Sequence, residues 1–133
     1  LILDSDFVIA LERERKRRLE GPAKRFLKEH RDERFFITFT VAGELACGRS
    51  ASAKREWQRL CRPYGLIGWT PEISWVYGCL YRDLQAKGTL IGSNDLWIAA
   101  TALARKCPLV SNNRSDFERI PKLEILSIAG RNA

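Results

Sequence analysis

The sequence predicts an α/β fold built on a small, mostly parallel sheet. Short apolar runs alternate with segments of helical period along the whole chain. Several of those runs stop abruptly at a carboxylate or hydroxyl residue, as strands do when they end in a site. There is no internal repeat, low-complexity segment or interdomain linker, so the 133 residues are expected to form a single domain, 1–133.

Taken in order, Leu1-Ile2-Leu3 reads as a buried strand ending at Asp4. A short helix is expected from Phe7 to Leu11, followed by the basic run Arg13 to Arg18. Gly21-Pro22 opens a second helix through about His30, since proline suits a first helical turn. Phe35 to Thr38 is a second strand, and Thr40 is placed to cap a helix from Val41 to about Cys47, closed by Gly48. A further helix is expected from Ala51 to Cys61, ended by Pro63, and then a short strand at Leu66-Ile67. Ile73, Val76, Tyr77, Leu80 and Leu84 recur at helical spacing between Pro71 and Lys87, before Gly88. Ser93 is placed to cap an apolar helix from about Asn94 to Arg105. A strand at Leu109-Val110, a turn and a strand near Leu123 to Leu126 complete the set, and Ala129 to Ala133 reads as a loose tail.

Composition narrows the function classes. Hydrophobic residues make up 45% and charged residues 29%, and no apolar run approaches the length of a membrane-spanning helix. Leu1-Ile2-Leu3 is too short for the apolar core of a signal peptide, and with no methionine anywhere the natural start is expected to lie upstream. The formal net charge is +7, which suits a polyanionic partner but equally describes a solvated basic surface. Cys47, Cys61, Cys79 and Cys107 form no CxxC pair, which argues against zinc and for buried free thiols in a reducing cytoplasm. His30 is the only histidine, expected at the surface, so histidine triads and multi-histidine metal sites are disfavoured.

The residues that carry chemistry are acids at the ends of elements. In an open parallel sheet, ligands bind outside the carboxyl ends of the strands. Asp4 ends one strand, and Ser111, Asn112, Asn113 and Asp116 follow another. Glu44 lies in the apolar stretch T-V-A-G-E-L-A-C-G, where a charge must face solvent, find a partner or serve a metal. Asp95, in G-S-N-D-L-W-I-A-A-T, is a favourable carboxylate in a first helical turn or a ligand. Asp4 and Asp116 likewise have capping roles open to them. Clustered carboxylates without histidine or cysteine suit hard divalent ions, above all Mg2+ or Mn2+. Such ions activate water and stabilise the leaving oxygen of a phosphodiester, and a basic surface would hold the nucleic acid while the acidic pocket cuts it.

At these residues the chain resembles the PIN-domain ribonucleases, and within them the VapC-type toxins of type II toxin–antitoxin modules. L-I-L-D-S-D-F-V-I is similar to the family's opening strand, T-V-A-G-E-L to its second block, N-D-L-W-I-A-A-T-A-L to its third and V-S-N-N-R-S-D-F-E-R-I-P to its fourth. The resemblance covers nearly the whole chain and implies a three-layer α/β/α fold. It implies metal-binding and catalytic roles for Asp4, Glu44, Asp95 and Asp116, with Ser5 as the hydroxyl neighbour of Asp4. Many PIN domains carry an acid at the position of Asn113; the toxin branch often shows the form seen here, with an acid before the phenylalanine, Asp116. Asp6 replaces the usual asparagine and either adds charge beside Asp4 or caps a helix. Ser111 is expected to order the pocket, and Asn113 to bond water or phosphate. The resemblance further implies an RNA substrate, an Mg2+ or Mn2+ cofactor, a cognate antitoxin, a homodimer and a cytoplasmic setting without membrane attachment.

Three alternatives stand beside this reading. A housekeeping PIN nuclease in RNA processing would be harmless when expressed alone. A phosphoacceptor receiver domain also gathers acids at strand ends, but it needs a lysine after a later strand, where this chain has asparagines and Arg114. A binding-only module would use the basic patch while its acids are structural, and it would show no site-specific divalent binding.

Overall fold

The structure is a computed structural model that describes residues 1–48 and 52–128. Its centre is a five-stranded, all-parallel sheet. The strands are β1 (Ile2–Leu3), β2 (Phe36–Thr38), β3 (Gly65–Ile67), β4 (Leu109–Val110) and β5 (Ile125–Leu126). The helices are α1 (Ser5–Lys16), α2 (Pro22–Glu29), α3 (Phe39–Ala46), α4 (Lys54–Cys61), α5 (Pro71–Ala86), α6 (Ser93–Arg105) and α7 (Arg114–Phe117). The architecture is a three-layer α/β/α fold, with the sheet parallel throughout rather than mostly so.

Spatial order is β3-β2-β1-β4-β5. The chain winds outward from β1 to β3 on one side, then returns to place β4 and β5 on the other. Strand order therefore reverses between β1 and β4, and a crevice opens at the carboxyl edge there. Register makes that crevice specific: Leu3 pairs with Val110, so the next residues, Asp4 and Ser111, leave the sheet side by side. Helices cover both faces, which is why Ile2, Leu3, Leu109 and Val110 are all fully buried. Each such side chain contributes roughly 1.5–3 kcal/mol on burial.

Several boundaries differ from expectation, each for a local reason. Helix α1 runs through the basic run as far as Lys16, because Arg13, Arg15 and Lys16 are good helix formers and complement the negative end of the helix dipole. Asp4, not Asp6, caps it, accepting from the Phe7 amide at 3.0 Å. Thr38, not Thr40, caps α3, accepting from the Val41 amide at 3.1 Å. The N-cap of α6 is Gly92, without a side-chain bond, and Ser93 is already helical. Helix α4 begins at Lys54; the expected start at Ala51 and the expected tail at Ala129 to Ala133 lie outside the described residues. Gly88 closes α5 at φ +67°, a conformation that favours glycine.

The thiols and the histidine also need correction. Cys47 and Cys79 are exposed while Cys61 and Cys107 are half-buried, all four free, so burial does not protect them as a set. His30 is half-buried, stacked on Phe26 with ring centroids 4.0 Å apart and bonded through Nδ1 to the Phe26 carbonyl at 2.9 Å. No helix among the described residues is long and apolar enough to cross a membrane.

Candidate metal and active site

Asp4 is buried at the end of β1. One of its oxygens holds the Phe7 amide, and Ser111 donates to it from the end of β4. Burial raises its carboxyl above the usual range, the bonds from Ser111 and Phe7 oppose that, and the charge of Asp6 adds to the rise. Glu44 reaches the same region from α3, whose apolar face (Val41, Ala42, Leu45) is pinned to the core. Ser5 Oγ donates to Glu44 Oε2 at 3.3 Å. Glu44 Oε1 is buried with no hydrogen-bond partner, and so is Thr40 Oγ1 one turn earlier on the same helix.

Asp95 lies in the first turn of α6 and Asp116 in the short helix α7. Asn113 joins them: its Nδ2 donates to Asp95 Oδ2 at 3.4 Å and to Asp116 Oδ2 at 3.1 Å. The loop carrying it is tightly held. Ser111 Oγ accepts from the Asn113 amide at 3.0 Å, and Ser115 Oγ donates to Asn113 Oδ1 at 3.2 Å. Asn112 faces the other way, where its Oδ1 accepts from Ser127 Oγ at 2.8 Å and from the Ile128 amide at 3.1 Å, tying the loop to the end of β5.

The electrostatics link the acids. Glu44 is raised first by burial, with Ser5 opposing, and then by the charges of Asp95, Asp6 and Asp4. Asp95 is raised first by burial, then by Asp116, Asp4 and Asp6, with Asn113 opposing. Glu44 and Asp95 thus feel their neighbouring acids as like charge, a cost that a cation would remove. Asp6 is exposed, takes no capping role and adds to the negative field at all three positions.

A small cavity of about 50 Å³ lies beside Asp4, lined by Asp6, Ser111, Asn112 and Ile128 among others. A larger one, about 380 Å³, opens around Pro108 and Leu123 at the opposite edge of the sheet, away from the acids. Among the described residues, no three carboxylate, imidazole or thiolate groups are drawn close enough to share one ion as they stand. The chemistry of the donors nonetheless fits a hard divalent cation. They are all oxygens, they repel one another, and one of them, Glu44 Oε1, is buried without a partner.

The basic run stands apart from the acids. The run Arg13 to Arg18 lies toward the far end of α1, about 14 Å or more from Asp4 at roughly 1.5 Å per residue. Arg119 does approach one of the acids, its Nη1 standing 4.0 Å from Asp116 Oδ1 and 3.2 Å from the Leu90 carbonyl. Its position three residues after Asp116 was the available clue. Thr40, expected as the helix cap, instead lies within α3 one turn before Glu44, with its hydroxyl buried and unpartnered.

Residues 1–123 match the model of the PIN domain. The chain belongs to the PIN domain family. Among curated relatives it is 37% identical to ribonuclease VapC2 of Rickettsia felis over 92 residues, 65% of this chain and 69% of the relative. It is 27% identical to ribonuclease VapC1 of Haemophilus influenzae over 125 residues, 92% of this chain and 93% of the relative. A structure of VapBC-1 from nontypeable Haemophilus influenzae superposes with a TM-score of 0.79 at 27% identity, covering 97% of this chain and 98% of that one. At 22% identity, VapBC2 from Rickettsia felis bound to a promoter DNA fragment shares the fold, with a TM-score of 0.78 and coverage of 95% and 96%.

Proposed function

We propose that this chain is a VapC-type endoribonuclease, the toxin of a toxin–antitoxin pair, and that Asp4, Glu44, Asp95 and Asp116 form its metal-dependent catalytic pocket. The observation that carries the reading is the convergence of mutually repelling carboxylates on the β1/β4 crevice, one of them with a buried oxygen that no protein group satisfies. The curated relatives named ribonuclease VapC support the nuclease class, and the VapBC complex of Haemophilus influenzae supports a cognate antitoxin.

Asp4, Glu44 and Asp95 would hold Mg2+ or Mn2+, with Asp116 completing the set or orienting a water. When bound, such an ion supplies a water acidic enough to act as nucleophile near neutral pH and charge to stabilise the leaving oxygen of a phosphodiester. The protein's own contribution is placement. The Asp4 cap and the paired ends of β1 and β4 fix one carboxylate, Ser5 orients Glu44, and Asn113 bridges Asp95 and Asp116. Ser111 and Asn112 keep the loop in register, while Asp6 adds negative charge beside Asp4. The substrate is RNA, the chain works in the cytoplasm, and it pairs with an antitoxin and with a second copy of itself. Purified protein is expected to cleave RNA with Mg2+ present and to lose that activity in EDTA. Undiminished cleavage in EDTA would sink the metal reading, whereas high-level expression without toxicity would redirect the chain to housekeeping RNA processing.

A further inference from the structure

Among the described residues the acids do not close on a common point, and Asn113 stands between two of them. Its Nδ2 lies between Asp95 Oδ2 and Asp116 Oδ2 and donates to both. The orientation of the amide is dictated by chemistry. Ionised carboxylates only accept, so the nitrogen must face them, and Oδ1 then takes the hydroxyl of Ser115. The backbone leaves the residue little freedom, because its own amide is bonded to Ser111 Oγ. An amide in this position does for the ion-free protein part of what a cation does for a metal site: it draws two like charges together and directs an oxygen of each inward.

An amide nitrogen with its hydrogens cannot, however, share a carboxylate lone pair with a cation. Each carboxylate oxygen has a second lone pair, so an ion displaces the donor when it takes the lone pairs that Nδ2 now holds, those directed between the two acids. We propose that the Asn113 side chain is an ion-displaced clamp: it holds Asp95 and Asp116 together in the free protein and swings off them when a divalent cation enters. This rests on the metal-pocket reading above. It also assigns a purpose to asparagine over an acid at this position. A carboxylate there could donate to neither neighbour, and it would bring one more negative charge into the free pocket.

The test needs no RNA. Mg2+ binding is measured by calorimetry on the wild type, Asn113→Ala and Asp4→Asn, and the Asn113 side-chain amide signals are followed by nitrogen-edited NMR during the titration. The clamp competes with the ion, so Asn113→Ala is expected to bind Mg2+ threefold or more tighter. In the wild type the Asn113 amide pair should shift on saturation, while the amide pair of Asn94 should move less. A merely structural Asn113 predicts the reverse, since losing a scaffold residue weakens ion binding. Unchanged or weaker binding by Asn113→Ala, or amide signals that stay in place at saturation, overturns the clamp. Should the alanine variant melt below assay temperature, Asn113→Ser serves, with the same expectation. Asp4→Asn separates the two levels: if it binds Mg2+ as the wild type does, the metal pocket itself is wrong, whatever Asn113 does.

Discussion

Two glutamates on two helices of this molecule are treated in opposite ways. Glu14, near the end of α1, is saturated: Oε1 accepts from the amides of Gly21 at 2.8 Å and Lys24 at 3.0 Å, and Oε2 from Ala23 at 2.9 Å. It fills the open N-terminus of α2, whose N-cap, Gly21, has no side chain to do so. Glu44, on α3, has a single bond to Ser5 and an oxygen with none, in the company of three other acids. The difference teaches how to tell a structural carboxylate from one reserved for a ligand. Folding satisfies the first completely. It leaves the second short of donors and surrounded by like charge, a cost retained only where something from outside can offset it.

The comparison breaks most directly at Asp4. Asn keeps the cap of α1, because asparagine is as good an N-cap as aspartate, but it removes the charge. Asp4→Asn is therefore expected to fold and to lose roughly 100-fold or more of RNA cleavage, beyond the 10–100-fold typical of groups that only support a metal ligand. Glu14→Gln should keep cleavage within about twofold at equal folded fraction, corresponding to roughly 0.4 kcal/mol. A large loss from Glu14→Gln, or none from Asp4→Asn, would collapse the distinction.

On the stability side the ranking inverts. Glu14→Ala strips three backbone donors of their partners at once and is expected to cost about 2 kcal/mol in urea unfolding. Gly21 reports on the same contact, since a Cβ there would lie 2.7 Å from the Glu14 carboxyl carbon. Asp116 tests the edge of the acidic set, where Arg119 at 4.0 Å and Asn113 share the burden. Asp116→Asn is expected to reduce cleavage roughly tenfold, about 1.4 kcal/mol, less than the same change at Asp4. An effect as large as that of Asp4→Asn would place Asp116 on equal footing with Asp4.

Much of this was legible in the sequence, for identifiable reasons. Strands β1 and β4 are doubly covered, so they read as unbroken apolar pairs, and the polar residue after each marks the crevice without any coordinates. Capping was less legible, because it depends on where the first helical turn begins. Thr38 and Thr40 are equally good caps in composition, and only the register of β2 decides between them. The place of the basic run was not legible for a similar reason. Charge along a sequence says nothing of which end of a helix it occupies, and α1 carries its arginines away from Asp4. The role of Asn113 was invisible because it is a three-body contact among α6, α7 and the loop between.

The smallest effect is the most discriminating. Burial first, then Asp95, Asp6 and Asp4, hold the Glu44 carboxyl above its ordinary value of 4.5, against the opposing bond from Ser5. The folded state therefore binds this proton more tightly than the unfolded chain. Stability attributable to the group is intact below about pH 4.5 and falls as pH rises from there through the higher folded value. Glu44→Gln removes that penalty while keeping an acceptor for Ser5. At pH 7 without divalent ions, the variant should unfold at higher urea than the wild type, by about 0.5 kcal/mol once solvent screening of a half-exposed group is allowed for. Near about pH 3.5 the two should coincide, because the wild-type carboxyl is then neutral in both states. Saturating Mg2+ should reverse the order at pH 7, since only the wild type has the full carboxylate set to be stabilised by binding. A Glu44→Gln variant less stable than wild type in EDTA at pH 7 would mean that this glutamate, like Glu14, is there for the fold.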